Sequence, residues 1–497
     1  MNTSEDIALK KQMKDVLHKI ESGFQLRDEN VVREALEEGE KLLPRLSEKQ
    51  EIALLNSKLG NACSDLFSLY EYKKDRKNIP LSENLQKAKT FFRNALSAVK
   101  DQNPYLEKQI WVNYGNCLDY LSRGVEALYA YDEALKIDPK FAMAIGNKAI
   151  TSRHFATISG SYTDVIHIEA YQAIQSIIED KELVEIGGLG VKRHFEAELK
   201  TIEAMMKNKQ VLQERIKHPR YDGSALSDFE NFYVGFCIVN KLFLNFHIHD
   251  DTCEAALSDP IFISIITNVD DTTTFYSLAR YINQIKEDYA VARLLLAQSQ
   301  LQRKDFDSIS RRTTLVNPLD YSQTNIYTGL LKSAYKEAFN ILDKISVFLN
   351  RYYNLGLKES SIYFETIWVK DKKKGPGIRE EILNAENMSL YALYDIFRDF
   401  QSGYYEKMKD IRRALTHRQL TIFEFGSGEI NNGNELVSIT SGEMVNQTIQ
   451  LMRLVKAAII YLINTVTLEE KKKNKRYKRI GKIEVNTTQY IPPLTGG

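Results

Sequence analysis

Two side chains in the last quarter of the sequence carry groups suited to phosphate chemistry. Arg412 has a planar, permanently charged guanidinium that fits phosphate oxygens. His417 ionises near neutrality, so it can give or take a proton in the cell. Arg413, Asp410 and Glu406 are close in sequence, and the two carboxylates either orient His417 or pair with the arginines. The cluster predicts proton transfer at a phosphate; the alternative is a solvated basic helix face on which the histidine is incidental.

The spacing of these residues limits how they can meet. On an unbroken helix, five positions turn through about 500°, which leaves Arg412 and His417 about 140° apart. Arg413 and His417 are i,i+4 neighbours and would share one face. Either the helix begins or bends between Arg412 and His417, or Arg413 is the partner of the histidine, and both arginines are candidates.

A second concentration of charge follows the last predicted helix. Between positions 471 and 479, seven of nine residues are Lys or Arg. Such a run is typical of an RNA-binding patch, where each phosphate contact adds salt-dependent affinity, or of the soluble end of a helix. The candidate RNA-binding residues are Lys471, Lys472, Lys473, Lys475, Arg476, Lys478 and Arg479.

Composition argues against several other classes of protein. The formal net charge of the 497 residues is +1, so total charge does not drive binding to nucleic acid. The four cysteines are far apart, and the polar stretch 247–251 is interpreted as a loop, so neither a metal site nor a cofactor is predicted. No signal peptide is visible, and the apolar run 454–466 is interrupted by Lys456 and too short to span a bilayer. The sequence predicts a cytoplasmic protein that does not enter a membrane.

The elements before the cluster indicate a mainly helical chain that begins with repeats. The clearest unit is 111–139, where Gly115 lets two helices approach and Pro139 ends the second helix. It resembles the tetratricopeptide repeat, a helical hairpin of about 34 residues. Similar patterns at 59–62 and 146–149 predict further units, because one hairpin cannot bury its apolar face alone. Such an array favours a partner-binding surface over a purely structural arm.

A separate helical domain is predicted after residue 272. Apolar stripes at helical spacing predict helices at 276–301, 327–349, 387–401, 404–420 and 442–467. Glycine and asparagine turn signals between 421 and 440 predict a small β-hairpin or irregular insertion. The predicted domains are repeats at 1–160, a helical connecting region at 161–272 and the C-terminal domain at 273–497.

This C-terminal pattern resembles the HEPN superfamily of ribonuclease and RNA-binding domains, and most of all its LA2681-like branch. The resemblance rests on Arg412 and His417, which match the arginine–histidine motif of the family, and on weaker likeness near 281–293 and 327–335. It implies an all-α protein, with a tetratricopeptide-like array followed by a HEPN-like bundle. The residue after the motif arginine is often Asn in the superfamily; Arg413 stands there, and it either adds a phosphate contact or disturbs the site.

The resemblance also implies a function, which is metal-independent RNA cleavage. The RNA 2′-hydroxyl would attack the adjacent phosphorus, with His417 as general base or acid and Arg412 stabilising charge on the phosphate. One histidine cannot easily serve both proton transfers, so a homodimer with paired motifs is implied. The expected role is a bacterial toxin or antiphage effector whose repeats sense a trigger or partner. The alternative is a non-catalytic adaptor that binds peptides or RNA.

Overall fold

The chain divides into two compact units, Met1–Lys217 and His218–Gly497. The computed structural model describes residues 3–72, 75–159, 163–206, 209–213, 222–245, 254–263, 265, 272–301, 306–316, 318–370, 377–425, 430–432 and 435–477. Both units are built mainly of helices, as the sequence predicts.

The described residues of the first unit form a series of helices. Helices near each other in the chain pack as pairs, with α1 on α2, α3 on α5, α6 on α7 and α8 on α9. Their bounds are α1 Thr3–Leu26, α2 Glu29–Leu42, α3 Lys49–Leu66, α4 Asn78–Leu81, α5 Glu83–Val99, α6 Pro104–Tyr120, α7 Gly124–Ile137, α8 Ala142–Ser159, α9 Thr163–Ile177 and α10 Lys181–Met205.

Short polar side chains set several of these helix starts. Asp28, Ser82 and Asn103 each accept a hydrogen bond from a backbone N–H in the first turn of the helix that follows. Helix α7 ends two residues before Pro139, so the hairpin predicted at 111–139 is α6 followed by α7.

Glycines allow neighbouring helices of this unit to approach closely. A Cβ atom at Gly60 would lie 2.8 Å from the ring of Phe92, and one at Gly115 would lie 2.4 Å from Tyr131. At Gly146 the distance to the Phe195 ring would be 2.3 Å. Each glycine therefore accommodates an aromatic ring that any side chain would displace.

Substitution Gly146→Ala is expected to destabilise the first unit by about 1–3 kcal/mol, because the methyl group would overlap the buried ring of Phe195. The matched control is Gly190→Ala on α10, where no atom lies within 4 Å. The control should gain about 0.5–1 kcal/mol from lower backbone entropy. Thermal unfolding followed by circular dichroism measures both, and equal midpoints for the two variants would contradict this packing.

The second unit is organised around a long buried helix. Its helices are α11 Asp228–Asn240, α12 Thr272–Ser299, α13 Asp307–Ser310, α14 Ile326–Tyr352, α15 Glu380–Leu383, α16 Met388–Gln401, α17 Glu406–His417 and α18 Ser441–Tyr477. Helix α18 packs against α12, α14 and α16, and every residue from 454 to 466 is buried. Lys456 is accommodated there because its ammonium donates to the carbonyl of Lys241 at 3.0 Å.

Helix α18 is also long and apolar enough to cross a membrane by length and composition, with a mean hydropathy of 1.6 in its most apolar window. The sequence prediction that this run is too short to span a bilayer is therefore wrong as an argument from length. Burial decides the question, since 83% of that window lies inside the unit. Such burial is typical of the core helix of a soluble domain.

A small sheet lies beside this bundle. Its strands are β1 Ser322–Gln323, β2 Thr421–Phe423, β3 Ile430–Asn432 and β4 Glu435–Thr440, in the order β1-β2-β4-β3. Strands β3 and β4 are antiparallel and form the predicted hairpin. The sheet extends further than predicted, because β2 pairs in parallel with β4 and β1 joins it from the segment before α14. Ile422 and Ile439 anchor the sheet in the core.

The buried side chain of Arg293 attaches α11 and the following loop to α12. Its guanidinium donates to both carboxylate oxygens of Asp259, at 3.0 and 2.7 Å, to the Leu242 carbonyl at 3.0 Å and to the Tyr233 hydroxyl at 2.7 Å. Burial alone would raise the pKa of the Asp259 carboxyl, but the charge and hydrogen bonds of Arg293 hold it below its ordinary value.

The predicted connecting region 161–272 is consequently shared between the units. Helices α9 and α10 pack on α8 in the first unit, whereas α11 packs on α12 in the second. The division between Lys217 and His218 falls within this predicted region, and the boundaries at 160 and 272 stay a prediction.

Candidate functional site

The candidate site lies on α17, an amphipathic helix. Met408, Ile411 and Ala414 are buried against the unit, and the remaining positions are partly or fully exposed. The helix runs from Glu406 to His417 without a break. The expectation that the helix begins or bends between the motif residues is therefore wrong, because the buried positions keep helical spacing throughout.

Arg412 points toward α14. Its Nη2 atom donates to Oδ2 of Asp343 at 2.6 Å, and its guanidinium carbon lies 4.4 Å from the centre of the Phe339 ring. Asp343 is itself held, because its other oxygen accepts from the backbone N–H of Phe364 at 2.9 Å. The side chain of Arg412 is 29% exposed, so it is oriented by Asp343 and Phe339 and can still be reached by a ligand.

Four of the predicted site residues form one stripe on the opposite flank of α17. Glu406, Asp410, Arg413 and His417 are spaced by four, three and four positions, which aligns them along one helix face. Arg413 donates to Glu406 at 2.7 Å and also pairs with Asp410. The two carboxylates thus pair with Arg413 rather than with the histidine. Hydrogen bonds from Lys409 and Arg413 hold the pKa of Glu406 below its ordinary value.

His417 is the last residue of α17 and is exposed. Within the part of the chain that the structure describes, its ring makes no hydrogen bond or ion pair. The chain then turns inward at Leu420, whose carbonyl accepts from the ammonium of Lys332 on α14 at 2.8 Å. The imidazole is therefore presented to solvent at the end of a helix that is firmly held on its other side.

Comparison with known families adds one match. Residues 269–469 fit the model for LA2681-like HEPN. This part of the chain is similar to LA2681-like HEPN domains and is called the HEPN domain. Neither a curated protein nor a solved structure matches the chain. Arg412 and His417 both fall inside the HEPN match, while α11 and Asp259 precede it, so the second unit is larger than its HEPN domain.

The HEPN domain also contains site residues that sequence reasoning missed. Asp343 and Phe339 orient Arg412, and Lys332 fixes the segment after His417. Asp343 interrupts the apolar stripe of α14 between Ile341-Leu342 and Ile345. A charged residue inside an apolar stripe indicates that a partner of opposite charge lies beside it in the folded protein.

The basic run extends α18 at its C-terminal end. Lys472 pairs with Glu469 at 2.9 Å and Lys473 with Glu470 at 2.6 Å, so acidic neighbours partly neutralise the described portion. Lys471 is exposed. The side chains of Lys475 and Arg476, and the whole of Lys478 and Arg479, lie outside the described residues.

The polar stretch 247–251, which is interpreted as a loop, also lies outside the described residues. Among the residues that are described, no group of three His, Cys, Asp or Glu side chains is placed to hold a metal ion.

Proposed function

We propose that the HEPN domain is a metal-independent RNA endonuclease, in which His417 transfers protons and Arg412 holds the phosphate. The observation that carries this proposal is the exposed ring of His417, which has no partner among the described residues, at the end of the helix that also holds Arg412 beside Asp343. An imidazole with no described protein partner is available to a substrate. An arginine with a fixed orientation and accessible N–H groups suits a phosphate.

The proposed reaction is transesterification within the RNA. The ribose 2′-hydroxyl loses its proton to a neutral imidazole, and its oxygen forms a bond to the adjacent phosphorus. The bond between phosphorus and the 5′-oxygen breaks, and a protonated imidazole gives that oxygen a proton. The products are a 2′,3′-cyclic phosphate and a 5′-hydroxyl. Arg412 stabilises the charge that grows on the non-bridging oxygens.

The two proton transfers favour a homodimer as the active species. Because α17 is unbroken, Arg412 and His417 of one chain point in directions about 140° apart. Two α17 helices facing each other across a two-fold axis would bring the His417 of each protomer to one cleft. One imidazole then acts as base and the other as acid.

The proposed biological role is a bacterial toxin or antiphage effector that acts in the cytoplasm. An enzyme that cuts cellular RNA must be silent in a growing cell, and the stacked helices of the first unit offer a surface for a trigger or partner. The positively charged segment from Lys471 to Arg479 is proposed to contact the RNA backbone.

One observation favours a second candidate, a non-catalytic adaptor. Both candidate arginines are already paired with carboxylates, Arg412 with Asp343 and Arg413 with Glu406 and Asp410. If those pairs persist with RNA present, the domain binds RNA or a protein without cutting it.

The deciding experiment incubates the purified full chain with single-stranded RNA in excess chelator. The enzyme hypothesis expects cleavage, with cyclic phosphate and 5′-hydroxyl ends identified by mass spectrometry. Cleavage only after Mg²⁺ is added, or products with 5′-phosphates, would contradict the proposed reaction. RNA binding by gel shift without cleavage, together with normal growth of cells that express the protein, would support the adaptor.

A further inference from the structure

The first unit contains a cavity of about 730 Å³. It is lined mainly by α3, α6 and α8, the first helices of successive hairpins, and by α10. This volume lies in the range of pockets that bind a ligand specifically. The described residues of its lining include no lysine or arginine.

Asparagine amides recur along the cavity in register with the close-packing glycines. The pairs Gly60-Asn61, Gly115-Asn116 and Gly146-Asn147 occupy matching positions on α3, α6 and α8. Each glycine packs on an aromatic ring, and the asparagine that follows lines the cavity. The repeated Gly-Asn pairs thus place a row of side-chain amides along the cavity. Each amide has N–H donors and a carbonyl acceptor that can bond to the C=O and N–H groups of a peptide backbone.

Part of this row has unused hydrogen-bonding groups. Asn116 accepts from the Tyr131 hydroxyl at 2.8 Å and from the amide of Asn147 at 3.0 Å. In the described residues, Asn61 has no side-chain partner, and the hydroxyl of Ser64 is shielded from solvent with no hydrogen bond. Polar side-chain atoms that lack a hydrogen-bond partner indicate a ligand that supplies the missing partner.

Two carboxylates give the cavity its charge. Asp65 follows Asn61 by one helical turn, and Asp119 follows Asn116 in the same way. Neither forms an ion pair with a lysine or arginine among the described residues. Burial raises the pKa of Asp119 to about 6, although a hydrogen bond with Thr151 opposes the rise. A carboxylate that is half-buried without a cation destabilises the unit, and a bound cation would remove that cost.

The negative charge of the cavity and the polar side chains that line it argue against two classes of ligand. Negative charge without a lysine or arginine disfavours RNA phosphates. A metal ion is disfavoured because, within the described ranges, no group of three His, Cys, Asp or Glu side chains converges. The pKa of His154, which also lines the cavity, is lowered by burial and by Arg153, so the ring does not supply the missing positive charge at neutral pH.

We propose that this cavity binds an extended peptide segment of a protein partner that carries lysine or arginine. The asparagine row contacts the peptide main chain, and Asp65 and Asp119 hold the cationic side chain. This inference refines the partner-binding role proposed for the first unit, and it does not depend on RNA cleavage by the HEPN domain.

The test measures binding of fluorescein-labelled peptides to the full chain by fluorescence anisotropy. Three short peptides alternate alanine with lysine, glutamine or glutamate. The lysine peptide should bind at least about tenfold more tightly than the glutamine peptide, and the glutamate peptide should bind least. The double variant Asp65→Asn/Asp119→Asn should lose the preference for lysine.

The control variant Glu34→Gln/Glu37→Gln changes the net charge equally at exposed positions of α2 and should keep the preference. Asn61→Ala should weaken the binding of the lysine and glutamine peptides by similar factors, because Asn61 is proposed to contact the main chain that both peptides share. Equal affinity for lysine and glutamine peptides, or a preference that survives the double aspartate variant, overturns the proposal. Circular dichroism confirms folding of each variant. The RNA cleavage assay tests a separate proposal. A negative peptide-binding result therefore does not affect the nuclease proposal, and a negative cleavage result does not affect the peptide-binding proposal.

Discussion

Replacement of His417 by alanine is expected to reduce chelator-resistant RNA cleavage by about 10²–10⁴-fold, the usual contribution of a general acid or base. Stability should change by less than about 0.5 kcal/mol, because the side chain is exposed and makes no hydrogen bond with a described residue. Cleavage rates on a defined RNA and thermal unfolding of the same preparations provide the two readouts. Thr416→Ala, an exposed neighbour on the same turn, is the matched control and should retain full activity.

The same variant tests the proposed dimer. If one cleft needs the His417 of both protomers, mixing equal amounts of parent and variant should leave about a quarter of the dimers active, given random pairing. Protomers that act alone would leave half of the activity. Cleavage by the His417→Ala protein at the parental rate would rule out this histidine as the catalytic group and would favour the adaptor.

Replacement of Arg293 by alanine is expected to destabilise the second unit by about 3–5 kcal/mol, the usual effect of removing one partner of a buried ion pair. The change leaves the Asp259 carboxylate without its cationic partner, although the backbone N–H of Leu244 still donates to it. It also removes the guanidinium that lies 4.8 Å from the ring centre of Phe243. Urea unfolding measures the loss, and hydrogen exchange should show α11 losing protection first.

The control for this effect is Arg351→Ala, which breaks an ion pair with Glu359 whose side chains are 36% and 47% exposed. That pair should contribute no more than about 1 kcal/mol. Adding Asp259→Asn to Arg293→Ala should recover part of the stability, because the unpaired buried charge is removed. Equal losses for Arg293→Ala and Arg351→Ala would show that the buried pair does not anchor α11.

Local periodicity made the main helices of the second unit predictable from sequence. Leu331, Tyr335 and Phe339 recur at helical spacing, and they are buried on α14 where that stripe predicts. The end of α18 was harder to predict, because its last turns are charged rather than apolar. Lys472 and Lys473 pair with acidic residues one turn earlier, and the basic run, for which the end of a helix was one of the two alternatives, begins as helix.

Contacts between distant segments could not be predicted in this way. Strand β1 has two residues, too few to show alternation, and it exists because it pairs with β2. The bond between Arg412 and Asp343 joins positions 69 apart in the sequence. The motif residues themselves were identified from sequence, but spacing alone left open whether the helix begins or bends between them, and α17 is regular there.

Burial of α18 has a consequence for the order of events during protein synthesis. Helices α12, α14 and α16 precede α18 in the chain, so they leave the ribosome with their apolar faces uncovered. The nascent chain therefore needs a chaperone or rapid completion to avoid aggregation.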